Sequence, residues 1–327
     1  MDRHFIHFET PELATIVTDT APPAGPEEVL IKVDHAGINR ADLLQRLGLY
    51  PPPEDASPIP GLEVAGQVVA VGERCKGLKL GDRVCALTHG GGYASHAIAR
   101  EDHCLALPDS LSTEQGAALP EALLTVWYNV MERGQLLAGE TVLIYGGSSG
   151  IGSIGIQMAA ALGANVISTA GSVARCDAVK ALGASFVANH REGSLTEQIT
   201  EAGYGGKVDV ILDIAGGDLM QANLDLAALD GRIVCIGVMR GMQSEINLAT
   251  LFMKRLTLTG STLRRLDTAE RARCFTAIRD RIWPQVIAGN IQPIVDTAYP
   301  LADVLEAHEH MRLGTHLGKL VLDCRMG

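Results

Sequence analysis

Apolar positions along the chain follow two rhythms, and the change between them comes after Pro120. Ahead of it, Val29 to Ile38 alternates apolar and polar residues at its start. Val64 to Gly72, Asp82 to Thr88 and Tyr93 to Ala99 follow, each bounded by glycine or charged residues. Alternation of this kind predicts short, half-buried strands joined by turns over the first ~115 residues. Between Gly48 and Gly61 the proline content excludes regular helix and predicts a stiff loop.

From Glu140 to Thr262 short β-branched runs alternate with helical stretches. The runs begin at Thr141, Asn165, Ser185, Val208, Arg232 and Leu256. Nearly continuous apolar strands with helices between them predict a parallel sheet covered on both faces. Ser194 followed by Glu197 makes a capping box, and Gly163 and Gly183 stand where helices end on glycine. Val173, Cys176, Val179 and Leu182 recur at every third position, which predicts one buried helical stripe. The segment therefore reads as a doubly wound α/β nucleotide-binding domain. Beyond it come a long helix from Asp267, a helix from Asp303 to Met311, and a final strand from Lys319 to Asp323.

Composition narrows the function classes. The chain has 327 residues, 47% of them hydrophobic and 20% charged, enough for two ordinary domains with cores of their own. A net charge of -11 and the lack of a basic cluster give polyanions no attractive field, so nucleic acid is not an expected partner. No apolar run is long enough to span a bilayer. The seven cysteines are scattered and never form C-x-x-C, which suits a reducing, cytoplasmic setting better than a disulfide framework.

The clearest chemical signal follows the strand at Thr141. Gly146, Gly147, Gly150 and Gly152 crowd the turn after it, and Gly155 lies where the next helix must approach the sheet. Read from Gly150, the glycines fit G-x-G-x-x-G between a predicted strand and a predicted helix. That context allows backbone amides and the positive helix end to hold a pyrophosphate. The alternative use is a tight turn that needs glycine for packing alone.

At the end of the second strand, where NAD-preferring folds carry a carboxylate, the chain reads Thr169, Ala170, Gly171, Ser172, and no acid appears before Asp177. Ser172 is placed as an N-cap, putting Arg175 in the first helical turn. A cation there opposes the helix dipole unless an anion faces it. A 2′-phosphate is such an anion, held by Ser172 and Arg175. The alternative is a solvated surface arginine. NADPH is the expected cofactor.

With these residues in view, the chain resembles the medium-chain dehydrogenase/reductase superfamily along its length. More narrowly, it resembles the zinc-independent NADPH:quinone oxidoreductases, the zeta-crystallin-like group, and most of all their tumour-suppressor-induced branch. The matching stretches are Gly37 to Pro53, Gly61 to Gly72, Gly81 to Leu87 and Leu119 to Trp127. The glycine turn, Thr169 to Ser172, Asn189 to Glu192, Leu229 to Gly237 and His316 to Leu322 continue the series in the same order. The resemblance implies a GroES-like catalytic domain over residues 1–118, a Rossmann NADPH-binding domain over 119–262, and a return over 263–327 that completes the first. It also implies a cleft between the domains and a homodimer.

By the same resemblance the cofactor contacts are Tyr50, Thr125, Gly147, Ser148, Ser149, Gly150, Ile151 and Gly152. Gly171, Ser172, Arg175 and His190 follow at the adenosine phosphate. Gly237, Val238, Met239, Ser261, Thr262 and Leu263 line the nicotinamide end. Arg175 stands in place of a lysine common in the group, and Ser149 in place of a glycine. Zinc-dependent relatives would carry their first two metal ligands at Asn39 and Leu62, where neither side chain can serve, so no metal is expected. His89, His96 and His103, spaced by seven, read as scattered surface residues rather than ligands.

Without a metal, hydride transfer rests on orientation and hydrogen bonding. Asn39 can donate to a developing oxyanion, or else cap a turn. Tyr50 can donate its hydroxyl or stack on a flat ring, or else pack against the nicotinamide. The expected reaction is NADPH-dependent reduction of a quinone or similar conjugated carbonyl. The competing readings are an enone or enoyl reductase, a zinc-free alcohol dehydrogenase, and a non-enzymatic RNA-binding or structural role.

Overall fold

In the computed structural model, which describes residues 1–326, the chain forms two units. One comprises Met1–Ala122, Asp267–Ile287 and the chain from Pro293; the other comprises Leu123–Leu266 and Ala288–Gln292.

The chain opens with an antiparallel hairpin of β1 (Asp2–Thr10) and β2 (Leu13–Thr20). Next come β3 (Glu28–Gly37), α1 (Arg40–Arg46), β4 (Glu63–Val71), β5 (Arg83–Leu87), β6 (His96–Arg100) and β7 (Cys104–Ala106). The short α2 (Thr113–Gly116) and α3 (Pro120–Val126) lead onward. Strand and helix then alternate: β8 (Thr141–Ile144), α4 (Gly150–Ala161), β9 (Asn165–Ala170), α5 (Val173–Ala181), β10 (Phe186–Asn189) and α6 (Leu195–Glu201). The alternation continues with β11 (Val208–Asp213), α7 (Leu219–Leu226), β12 (Ala227–Cys235), α8 (Leu248–Met253) and β13 (Thr257–Gly260). The chain closes with α9 (Thr268–Arg281), α10 (Trp283–Ile287), β14 (Val295–Pro300), α11 (Val304–Leu313) and β15 (Lys319–Asp323).

In the first unit the main sheet runs β14-β15-β3-β4-β5-β7, with β6 paired to β3. Every pairing is antiparallel except β14 with β15. The alternation predicted for Val29 onward is the inward face of β3: Val29, Ile31 and Val33 are buried with Val64, Val68 and Val84 in one core. Each such aliphatic side chain contributes about 1.5–3 kcal/mol by leaving water. The proline-rich segment carries neither helix nor strand.

The second unit holds a six-stranded sheet in the order β10-β9-β8-β11-β12-β13, with every pairing parallel. Strands buried on both faces explain the continuous apolar runs: Val142, Leu143, Ile144, Val210, Ile211 and Leu212 are all fully buried. The strand order reverses beside β8, and the carboxyl end of β8 is where such a sheet binds ligands.

Two expectations are corrected. Only Cys176 and Val179 of the predicted stripe on α5 are buried, while Val173 is 62% exposed. A threefold spacing on a 3.6-residue helix drifts by about 60° per step, so its two ends face apart. His103 is not a surface residue; it is buried and stacked on Phe275 with ring centroids 5.6 Å apart. No helix among the described residues is long and apolar enough to cross a membrane.

Candidate functional site

β8 delivers the chain into the glycine turn. Gly146 adopts a positive φ of 69°, which favours glycine. A Cβ on Gly152 would collide with the carbonyl of Gly146, so the turn closes on itself only with glycine there. Ser149 is the N-cap of α4, its hydroxyl accepting from Gly152 N at 3.0 Å. Thr169 ties the turn to β9: its hydroxyl accepts from Gly146 N at 3.0 Å and its carbonyl from Gly147 N at 2.9 Å. Ser149 N donates to Gly146 O at 2.9 Å. Once these bonds are counted, the amides of Ser148, Gly150 and Ile151 stay open at the start of a 12-residue helix. Open amides at a helix N-terminus form an anion cradle.

Beside the cradle, β9 is followed by Gly171 and Ser172. Ser172 caps α5 by accepting from Arg175 N at 3.3 Å, which places Arg175 in the first turn as its spacing predicts. His190 covers Gly171 so closely that a Cβ there would come within 2.8 Å of its Nε2. The pKa of His190 is lowered, first by burial and then by the charges of Arg191, Arg240 and Arg175. Arg175, Arg191 and His190 thus stand together at the end of β9 in a chain of net charge -11, whereas the Arg240 guanidinium is paired with Asp218 at 2.5 Å. Arg191 and Arg240 were not singled out from the sequence. Arg191 sits within a stretch already noted, but the charge of Arg240 is felt at His190 from the loop after β12, and sequence distance hides that.

The loop after β12 carries Gly237, Val238 and Met239, and it leans on the loop after β11. Asp213, fully buried at the end of β11, accepts from Ala215 N at 2.7 Å, Gly216 N at 2.9 Å and Asn223 Nδ2 at 3.0 Å. Tyr145 donates to Asn223 Oδ1 at 2.7 Å. The loop so pinned braces its neighbour, because Arg240 N donates to Ala215 O at 2.8 Å and a Cβ on Gly237 would strike Ile214 O. Val238 and Met239 are more than half exposed on that brace. Ser261 follows β13, Thr262 caps the short turn Leu263–Arg265, and Thr125 is buried on α3.

Asn39 and Tyr50 belong to the first unit. Asn39 is the N-cap of α1 and is 6% exposed. Its backbone N–H donates to Asp42 Oδ2 at 2.8 Å. Lys319 Nζ, which can only donate, meets Asn39 Oδ1 at 2.6 Å, so Nδ2 is the atom facing Glu63 Oε1 at 2.9 Å. Glu63 is buried and also accepts from Glu121 N at 2.9 Å. One hydrogen of the Asn39 amide stays outside these bonds. Asp42, buried beneath, also accepts from Gly61 N at 3.0 Å, and burial pushes its carboxyl up to about 6. Glu63 and Lys319 are hidden in the sequence because their partners lie far along the chain, whereas Asp42 pairs locally with Asn39, and an N-cap followed three residues on by an acid was the readable signal.

Tyr50 is half-buried at the head of the proline-rich loop, within electrostatic reach of Arg271 on α9. Arg271 lies 3.2 Å from His89 Nδ1, and His89 Nε2 lies 3.2 Å from Asp55. Burial lowers the Arg271 pKa. No group of three or more His, Cys, Asp or Glu that could hold a metal exists among the described residues.

Comparison with known proteins adds family context. Residues 25–109 match the alcohol dehydrogenase GroES-like domain, and residues 150–278 match the family described as zinc-binding dehydrogenase. The chain is 33% identical over 320 residues to the quinone oxidoreductase of Sus scrofa, covering 96% of this chain and 95% of that protein. It is 34% identical over 308 residues to a mycocerosic acid synthase-like polyketide synthase of Mycobacterium tuberculosis, covering 93% of this chain but only 14% of that protein's length. Among solved structures, a Pseudomonas syringae quinone oxidoreductase superposes with a TM-score of 0.86 at 30% identity, covering 99% of this chain and 100% of that one. The Escherichia coli quinone oxidoreductase complexed with NADPH gives 0.84 at 31% identity, covering 99% and 100%. An enoyl reductase gives 0.83 at 25% identity, covering 98% and 99%.

Proposed function

The chain belongs to the medium-chain dehydrogenase/reductase superfamily, and on that premise we propose that it is an NADPH-dependent, zinc-independent oxidoreductase that reduces a quinone. The observation that carries this reading is the open amide cradle of Ser148, Gly150 and Ile151 beside a basic cluster at the end of β9. The cradle suits a pyrophosphate, and Ser172, Arg175 and His190 suit a 2′-phosphate better than free ribose hydroxyls. NADPH held there supplies the hydride. Gly237, Val238, Met239, Ser261, Thr262 and Leu263 hold its nicotinamide end, and Thr125 is a further cofactor contact. The NADPH complex of the Escherichia coli relative supports this assignment.

On the acceptor side, the unused Asn39 amide hydrogen donates to the developing oxyanion. Its direction is fixed because Lys319 and Glu63 prevent the carboxamide from flipping. Tyr50 stacks on the acceptor ring or donates its hydroxyl, and water delivers the proton that completes the hydroquinone. Zinc does not fit this set. Asn39 and Leu62 offer no suitable ligand, and the Lys319 ammonium already lies 2.5 Å from Glu63 Oε1, where a divalent cation would be repelled. The seven free cysteines suit a cytoplasmic setting. A homodimer is supported by the free outer edge of β13 and by the exposed Leu248, Phe252 and Met253 of α8.

Reduction of an enoyl thioester is the second reading, favoured by the match to a polyketide synthase across most of this chain. Initial rates of NADPH oxidation with ortho-quinones, para-quinones, enones and enoyl thioesters separate the two. A preference for quinones in kcat/KM upholds the first reading, and a preference for enoyl thioesters replaces it with the second.

A further inference from the structure

The helix that carries Thr125 does not remain an α-helix. After Val126 it widens into a π-helical stretch, Trp127–Arg133, closed by Gly134 N donating to Asn129 O at 2.9 Å. Such turns are rare and concentrate at functional sites. Here the widening brings Asn129, 1% exposed, between the Thr125 turn and the residue that follows β13. Its Nδ2 donates to Thr125 O at 2.8 Å, and its Oδ1 meets Ser261 Oγ at 2.6 Å. Arg133, one turn on, bonds Thr259 of β13, so the π-helical stretch is stitched to that strand and to the residue after its end.

The chemistry of this bridge allows one arrangement. The Thr125 carbonyl can only accept, so the atom facing it must be the Asn129 amide nitrogen. Oδ1 therefore faces Ser261, and because Oδ1 can only accept, the Ser261 hydroxyl must give its single proton to it. Ser261 Oγ is left with lone pairs alone. Toward any ligand it is an acceptor and cannot donate.

We infer that Asn129 is a positioning residue that fixes Ser261 as a hydrogen-bond acceptor, selecting a ligand group that donates an N–H. This rests on the reading above that Ser261 lines the nicotinamide end. The carboxamide of nicotinamide has such an N–H, whereas a 3-acetyl group in its place has only an acceptor oxygen. A ligand bearing the acetyl group would set lone pairs against lone pairs at Ser261.

The test is binding, followed by fluorescence titration of NADPH, its 3-acetylpyridine analogue and 2′,5′-ADP. The wild-type chain should bind NADPH about tenfold more tightly than the acetyl analogue, the size of one hydrogen bond. Ser261→Ala and Asn129→Leu should each bring the two ligands to within about twofold of each other, with 2′,5′-ADP affinity unchanged. The 2′,5′-ADP arm controls for general loss of structure, and Ser261→Ala alone decides the matter if Asn129→Leu does not fold. Equal wild-type affinity for NADPH and the acetyl analogue, with normal 2′,5′-ADP binding, overturns the inference, as does a preference that survives Ser261→Ala. Failure of 2′,5′-ADP to bind the wild type instead removes the cofactor reading on which it rests.

Discussion

Lys319 Nζ lies 2.5 Å from Glu63 Oε1, with both residues buried and Asn39 bonded to each of them. A buried pair of this kind holds its neighbours in place more than it adds to stability, because desolvation offsets much of the attraction. Removing one partner is a different matter. Lys319→Met leaves the Glu63 charge buried without its counter-ion and should cost about 3–5 kcal/mol in urea unfolding. The double variant Lys319→Met, Glu63→Gln should recover most of that loss. A Lys319→Met chain as stable as wild type would mean the pair is not buried as described.

Asp42 makes stability depend on pH with an unusual sign. Burial pushes its carboxyl from 3.8 up to about 6, so between those values the folded chain holds a proton that the unfolded chain has released. Its contribution is complete below the unfolded value and is lost as pH rises through the folded one, by on the order of 2–3 kcal/mol. Asp42→Asn keeps an acceptor for one of the two backbone amides and removes the titration. The difference in unfolding free energy between wild type and variant should shift against the wild type from pH 4 to pH 6.5 and then level off.

His308 works in the opposite direction. Burial depresses it from 6.5 to about 3, and its Nε2 lies 3.1 Å from the Tyr93 hydroxyl. Its contribution is present above the unfolded value and is lost as pH falls toward the folded one. His308→Gln should flatten the fall in melting temperature below pH 6.5. An unchanged acid limb in the variant would show that another group controls it.

At the end of β9, Arg175→Ala should cut the preference for NADPH over NADH by about tenfold or more, in line with losing a charge-assisted bond to phosphate. Arg191→Ala should weaken NADPH while leaving NADH nearly unchanged. Dissociation constants from fluorescence titration check both. Equal wild-type affinity for the two cofactors would exclude the phosphate assignment.

Tyr50→Phe separates donation from stacking. If the hydroxyl donates to the acceptor, kcat with a quinone should fall about 10- to 100-fold while the dissociation constant for NADPH holds. An unchanged kcat assigns Tyr50 to stacking.

Much of this was legible in the sequence wherever the cause is local. Continuous apolar runs marked the central parallel strands, because burial on both faces leaves no room for polar alternation, while the edge strand β13 is largely exposed. The glycine turn and the Ser172 cap were equally plain, since their capping bonds span three residues. What stayed hidden depends on long-range partners. Asn129 looks like an ordinary helix residue until Ser261 is seen beside it, 132 positions away. Lys319 reads as the first residue of a strand until Asn39 and Glu63 are found against it. The hairpin of β1 and β2 was not singled out, because most of its residues stay partly or fully exposed and the apolar pattern there is faint.

The most direct measurement is quinone-dependent oxidation of NADPH and of NADH by chain stripped of metal with a chelator. Expected are turnover unaffected by the chelator and a kcat/KM for NADPH at least tenfold above that for NADH. Activity that vanishes on stripping and returns with zinc, or a preference for NADH, would contradict a phosphorylated dinucleotide working at a site without metal.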